Sequence, residues 1–150
     1  MATNNAINKK SASITFDGTN ILSNYVVETA WTPDVQFGGA KVGVTYGTQY
    51  GYYYRIGNVL FFYAFIDLSS KGSSTGNVSI EGLPTATTHN MRGTMVGGGL
   101  TYTGEGLSYL ASGSSLLLGF GSNAGAAMTA LDDTHCANNS VFRLSGFYFV

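Results

Sequence analysis

Short apolar stretches rich in Val, Ile, Tyr and Phe recur along this chain, and Gly, Asn and Ser separate them every eight to twelve residues. Short strands at that spacing are typical of an all-β sandwich or barrel, because β-branched and aromatic side chains suit a pleated, half-buried surface. No convincing amphipathic helix interrupts the pattern. The sequence therefore predicts an all-β domain of antiparallel strands.

The clearest local signal is a hairpin between Tyr50 and Leu68. Two strands are predicted on either side of Gly57-Asn58, a two-residue turn of the kind that tolerates positive φ. Both faces of the second strand are apolar, so both are predicted to be buried. We expect a second sheet layer or another subunit to cover the face that the core does not. One face carries Val59, Phe61, Tyr63, Phe65 and Asp67, and the other carries Leu60, Phe62, Ala64, Ile66 and Leu68.

The C-terminal stretch from Asn139 to Val150 predicts another strand. Its last four residues, Phe147 to Val150, are too apolar to fray in solvent, so this end should be docked against the fold or at an oligomer axis. From this strand and the hairpin, four side chains are predicted at an oligomer interface: Phe62, Ile66, Phe147 and Phe149.

Composition strengthens the expectation of an oligomer. The 150 residues suit one domain, and charged residues make up only 10% of them, against about 25% in ordinary soluble domains. Because surface charge opposes association, covering much of this surface with other copies is the simplest way to keep the chain in solution. The net charge is −1 with scattered basic residues, which predicts no nucleic-acid partner. No apolar run of about 18 residues exists, which predicts no membrane insertion.

Candidate chemistry is sparse, and no spacing singles out a catalytic pair of carboxylates. Asp132 and Asp133 are adjacent, so on a strand they would point to opposite faces. His89, His135 and Cys136 are too few for a structural zinc site, which takes four ligands. The sequence therefore predicts a non-enzymatic protein with no catalytic residues, no metal and no cofactor.

An ordered set of short motifs carries a family resemblance over about residues 31–150. The motifs are Ala30-Trp31-Thr32-Pro33, Phe37-Gly38-Gly39, Gly43-Val44-Thr45-Tyr46, Gln49-Tyr50-Gly51-Tyr52-Tyr53-Tyr54-Arg55-Ile56-Gly57-Asn58, Leu68-Ser69-Ser70-Lys71-Gly72-Ser73-Ser74-Thr75-Gly76, Gly82-Leu83-Pro84, Leu131-Asp132-Asp133, Ala137-Asn138-Asn139-Ser140 and Arg143-Leu144-Ser145-Gly146-Phe147-Tyr148. Together they resemble the C-terminal domains of phage tail fibre, tailspike and related virion structural proteins. The resemblance implies a jelly-roll-like β-sandwich, assembled as a homotrimer at the distal end of a fibre.

The resemblance also implies partners and a place of action. Residues 1–28 would be a connector from an upstream fibre shaft, and residues 29–150 the tip domain. The tip would trimerise the fibre, bind a host-surface polysaccharide or protein, or both. It would act in the virion, outside the cell after lysis. A purely structural cap is the alternative, and a small hydrolase ranks last.

The ten Tyr residues and Trp31 offer the best material for receptor binding, because sugars stack on aromatic rings, but most of these aromatics are expected in the core or at a subunit interface. The stretch from Thr85 to Ala130 matches the family pattern least, so receptor contacts are expected there. The candidate receptor-binding residues are Tyr102, Tyr109, Glu105 and Trp31, although Trp31, at the domain entrance, is expected to be a packing anchor first.

Overall fold

A computed structural model describes residues 27–121 and 127–150. Within these ranges the chain is all-β, as predicted, with one turn of 3-10 helix at Asp133–His135 and no α-helix. The strands are β1 (Thr29–Trp31), β2 (Asp34–Phe37), β3 (Thr45–Ile56), β4 (Val59–Ser70), β5 (Val78–Glu81), β6 (Met91–Leu100), β7 (Glu105–Ser112), β8 (Ser115–Gly121), β9 (Thr129–Ala130) and β10 (Cys136–Phe149).

The described strands form one antiparallel sheet in the order β1-β3-β4-β10-β6-β7-β8-β5-β2, with β9 beside β8. Strand β6 belongs to both halves of this sheet, since its residues 95–100 pair with β10 and its residues 91–94 pair with β7. The sheet curls at β6, so the β1-β3-β4-β10 half and the β7-β8-β5-β2 half face each other across the core. The architecture is that of a curled antiparallel half-barrel.

Glycine permits the turn in direction at the end of β6. Gly99 has a φ of +62°, and a Cβ atom there would lie 2.5 Å from the carbonyl oxygen of Asn139. Opposite it, the β10 register shifts between Cys136 and Val141. The Ser140 hydroxyl stabilises this irregularity, because it accepts the Ala137 N–H (2.8 Å) and donates to the Gly99 carbonyl (2.9 Å).

The predicted hairpin is present as β3 and β4. Gly57 has a φ of +60°, which explains the need for glycine in this two-residue turn. The β4 face that carries Leu60, Ala64 and Ile66 points into the core, and all three are fully buried. The opposite face points outward and has no cover among the described residues. Within the described residues no second sheet layer covers this face, and its cover by another subunit stays a prediction.

The predicted C-terminal strand is also confirmed. β10 lies between β4 and β6, and its register places Phe147 opposite Phe61 and Tyr148 opposite Leu60. Tyr148 is fully buried, so its large ring anchors the end of the chain in the core. The C-terminus is therefore an interior strand of the sheet and not a frayed tail.

Aromatic contacts join the two halves of the sheet. The Phe62 ring on β4 lies 5.7 Å from the Tyr109 ring on β7, in an edge-to-face arrangement, and 5.8 Å from the Tyr148 ring. Tyr109 also donates its hydroxyl hydrogen to the Ser145 carbonyl across the core (3.2 Å). That hydroxyl lies directly against Gly146, where a Cβ atom would overlap it. Position 146 therefore requires glycine, because the Tyr109 hydroxyl occupies the space that a Cβ atom would need.

Polar side chains of β3 form hydrogen bonds to β2 and to Pro33, where the curled sheet brings these segments close together. The Tyr46 hydroxyl on β3 donates to the Asp34 carboxylate on β2 and accepts the Val35 N–H (3.0 Å). Burial, and then the hydrogen bond to Asp34, raise the pKa of Tyr46 well above its usual range. Gln49 adds a hydrogen bond from its amide to the Pro33 carbonyl (2.7 Å). These bonds connect strands that are not neighbours in the sheet.

Candidate functional site

The outward surface of β3, β4 and β10 is covered with aromatic rings, and we name it the aromatic face. Side chains alternate along a strand, and the register aligns the outward positions of the three strands in rows. One row holds Tyr54, Phe61 and Phe147, and the next holds Tyr52, Tyr63 and Ser145. The complete aromatic set of this face is Tyr50, Tyr52, Tyr54, Phe61, Tyr63, Phe65, Phe147 and Phe149.

The rings of the aromatic face pack on one another but leave much of their surface in solvent. Tyr54 stacks on Phe61 with 4.9 Å between ring centroids, and Tyr50 stacks on Phe65 at 5.4 Å. Phe147 is 46% exposed and Phe149 is 38% exposed. Large contiguous apolar patches of this kind mark interaction sites on soluble proteins.

A groove of about 530 Å³ crosses this face from Glu28, next to β1, to β10. Its walls are aromatic, and its main charged group is the Glu28 carboxylate, next to β1. A Ser145 hydroxyl and the bare backbone at Gly146 border the opposite side. The lining residues are Glu28, Tyr52, Tyr54, Phe61, Phe62, Tyr63, Ser145, Gly146 and Phe147.

The opposite side of the aromatic face carries a positive charge. The Arg143 guanidinium on β10 lies 5.1 Å from the centroid of the Phe65 ring, within cation–π range. Next to it, the interaction with the Tyr50 hydroxyl raises the pKa of Tyr63, which keeps the Tyr63 phenol neutral. The aromatic face therefore has an acidic group, Glu28, at its β1 edge and a basic group, Arg143, at its β10 edge. Between the edges lie neutral rings and a second carboxylate, Asp67 on β4, one outward row from Arg143.

The structure does not bring the four candidate receptor residues together. Trp31 is 9% exposed and donates its indole N–H to the Tyr63 carbonyl (3.2 Å), which is the packing role expected of it. Tyr109 is 2% exposed and belongs to the core. Tyr102 is half-buried with its ring 5.2 Å from that of Phe120, and Glu105 is exposed at the start of β7. Of the four, Tyr102 and Glu105 offer surface to a ligand, and their receptor role stays a prediction.

The four candidate interface residues divide into two pairs. Phe62 and Ile66 face inward on β4 and are buried in the chain's own core, so they present no surface to another copy. Phe147 and Phe149 face outward on the aromatic face. Sequence reasoning missed the tyrosines of β3 and the outer β4 rings. Asp67 could have marked that β4 face as the outer one, because an unpaired carboxylate is rarely fully buried.

The groups considered for acid or thiol chemistry have structural partners. His135 Nδ1 lies 2.7 Å from Asp132 Oδ1 within the cap of the 3-10 turn, and not against Cys136. Burial raises the pKa of the Cys136 thiol to about 12. Asp133 accepts the Gly76 N–H (2.7 Å). In residues 27–121 and 127–150, no three His, Cys, Asp or Glu side chains are grouped so as to hold a metal ion.

The described part of the chain also has no helix that is long and apolar enough to cross a membrane. No family model matches the sequence, and no curated protein matches it significantly. Among solved structures, the chain is similar to the Dettilon tailspike protein, with a TM-score of 0.62 and 20% sequence identity. The similarity covers 83% of this chain and 24% of the tailspike chain, so this chain spans about a quarter of that protein's length. The curled sheet described here is therefore a fold found within a phage tailspike protein.

Proposed function

We propose that this chain is a tip domain of a phage tail fibre or tailspike, that it assembles as a homotrimer, and that the trimer binds a receptor on the host surface. The observation that carries the proposal is the aromatic face, an exposed apolar surface on three strands of a fold shared with a tailspike protein. A fibre tip needs a broad apolar surface for its own assembly, because aromatic and apolar side chains dominate the buried centre of homo-oligomer interfaces.

We also propose a more specific architecture for the domain. We interpret the curled sheet as a variant of the jelly-roll-like sandwich, in which β6 joins two facing halves. The contact of Phe62 with Tyr109 and the hydrogen bond from Tyr109 to the Ser145 carbonyl support this interpretation, since they span the space between the halves. Residues 1–28 would connect the domain to an upstream fibre shaft. Residues 1–26 of that connector lie outside the described residues.

We place receptor binding on the part of the surface that lies outside the aromatic face. Tyr102 and Glu105 lie at the connection between β6 and β7, in the stretch that resembles the tail-fibre pattern least. A ring and a carboxylate suit a surface glycan, because sugars stack on rings and their hydroxyls need hydrogen-bond acceptors. Weak single sites suffice, since three sites on each trimer multiply the affinity. The protein would act in the virion, without enzymatic activity and without a cofactor.

A purely structural cap is the second candidate, because the aromatic face includes the interior C-terminal strand and would serve assembly even without a receptor site. Light scattering on a sizing column tests the assembly. A homotrimer has three times the 15.8 kDa mass of the chain, about 47 kDa. A monomer at every concentration contradicts the proposed assembly.

Adsorption of the purified trimer to host cells then separates the two candidates. The tip-domain function predicts saturable binding that Glu105→Lys weakens, while Arg92→Glu, a charge reversal on the outer side of β6, leaves binding unchanged. A trimer that neither adsorbs to host cells nor blocks phage adsorption would favour the structural cap.

A further inference from the structure

The aromatic face and its edges carry three charges that have no ionic partner in the described part of the chain: Glu28, Arg143, and Asp67, which lies on β4 one outward row from Arg143. Glu28 lies at its β1 edge and Arg143 at its β10 edge, and neither forms a salt bridge there. Three strand spacings separate the two edges, about 14 Å at roughly 4.8 Å per spacing, and Glu28 and Arg143 lie about two outward rows apart along the strands. The two side chains therefore cannot reach each other within one chain.

We propose that Arg143 of one copy enters the groove of the neighbouring copy and pairs there with Glu28. This inference rests on the proposed assembly and names the contact that sets its geometry. The occupant of the groove is thus a second copy of this chain, joined through opposite edges of the aromatic face.

The chemistry of the groove suits a guanidinium group. Tyr52 and Tyr54 supply ring faces on which a planar guanidinium can stack, and Glu28 supplies the carboxylate that its N–H fork binds in bidentate geometry. The volume of about 530 Å³ leaves room for a whole arginine side chain together with the partner's Phe65, on which Arg143 already packs. Within a groove of apolar walls this ion pair is screened less by water than on an open surface.

Among the described residues, Arg143 is the basic side chain on the aromatic face. It is exposed, in the outward row of Phe65. Arg55 lies opposite Leu60, on the other side of β3, and donates its Nε–H to the Gly57 carbonyl (2.6 Å). Lys41 is already paired with Asp34, and Lys71 with Asp133. Arg92 lies on the part of β6 that pairs with β7, in the other half of the sheet.

The size of the aromatic face supports contacts that reach its charged edges. Its rows and strands span roughly 14 by 20 Å, close to 300 Å², whereas a stable interface buries about 800 Å² on each partner. The contact must therefore extend past the rings to the rim, where interfaces carry their charges. Opposite charges on opposite edges fit a head-to-tail arrangement, in which each copy uses its β1 edge towards one neighbour and its β10 edge towards the other. Such a head-to-tail contact forms a ring when the rotation between copies closes, and the proposed homotrimer is a ring of three copies.

Charge exchange tests this contact on the full chain. The variants Glu28→Lys, Arg143→Glu and the double exchange are compared with wild type by light scattering over a dilution series. Arg55→Glu and Arg92→Glu serve as matched controls, because they make the same charge reversal as Arg143→Glu at exposed positions off the aromatic face. Thermal unfolding of each variant checks that the monomer fold is intact.

Each single reversal places like charges together, and we expect it to raise the concentration of half-dissociation at least about tenfold. The double exchange should return this concentration to within about threefold of wild type, and the controls should not change it. If wild type is a trimer and the single reversals leave it unchanged, the contact is wrong while the proposed function stands. Dissociation by both singles without recovery in the double exchange also overturns the pairing. A wild-type monomer, with the groove open to a glycan or to another segment of the chain, overturns the assembly itself.

Discussion

Replacing Gly51 by alanine adds a methyl group where the Trp31 indole packs. This change should disturb the packing of Trp31 more than a methyl group added at any other position of β3. Gly51 faces inward, opposite Ala64, and the Trp31 indole lies directly over it. A Cβ atom at Gly51 would overlap Trp31 Nε1 and lie 2.6 Å from Trp31 Cε2, where carbon atoms normally stay about 3.5–4.0 Å apart. The indole therefore has to move by about 1 Å and lose its hydrogen bond to the Tyr63 carbonyl.

The magnitude follows from these two losses. Overpacking of a tight site costs about 1–3 kcal/mol, and the hydrogen bond contributes about 1 kcal/mol. Alanine gains about 0.5–1 kcal/mol over glycine in a strand, so we expect a net loss of roughly 1–3 kcal/mol in the free energy of unfolding. For a chain of this length, that lowers the melting temperature by about 2–4 °C for each kcal/mol.

Gly98→Ala provides the matched control. A Cβ atom at Gly98 meets nothing closer than 3.7 Å, so this variant should be as stable as wild type or slightly more stable. Trp31 is the only tryptophan, so urea unfolding followed by its fluorescence reports on the affected site directly. All variants are compared at one protein concentration, because assembly would add to the apparent stability. The reasoning fails if Gly51→Ala unfolds within about 0.5 kcal/mol of Gly98→Ala with unchanged tryptophan emission.

Two further predictions concern single polar groups. Tyr46→Phe leaves the Val35 N–H without its hydrogen-bond acceptor, so it should lower the free energy of unfolding by about 1–3 kcal/mol in urea denaturation. A change below about 0.3 kcal/mol would contradict the role given to the Tyr46 hydroxyl. Burial raises the pKa of the Cys136 thiol to about 12, so the folded protein should react with a thiol reagent at pH 7.5 far more slowly than the urea-unfolded chain. The labelling rate of the folded protein should also rise with pH. Rapid stoichiometric labelling of the folded protein would contradict this prediction, because it would show that the thiol is accessible.

Local sequence determined a good part of the fold. The Gly57-Asn58 turn predicts the β3-β4 hairpin, because a two-residue turn with positive φ leaves few other conformations. The apolar end at Phe147 to Val150 predicts a docked strand, since burying four such residues requires neighbours. These features depend on residues close together in the chain, and a single sequence contains that information.

Only the tertiary structure decided which surfaces face outward. Both faces of β4 are apolar, so a period of two could not show that Phe62 points into the core and Phe61 into solvent. By sequence alone Tyr109 is a candidate receptor-binding residue, but Gly146 on β10 leaves the space that its ring enters, and the ring is buried. Glu28 and Arg143 came to lie at opposite edges of one face through the β1-β3-β4-β10 order, which no local pattern encodes. Strand order and facing are set by pairings between residues far apart in the chain, and for that reason the sequence by itself determined the strands while the assembled sheet determined the candidate site.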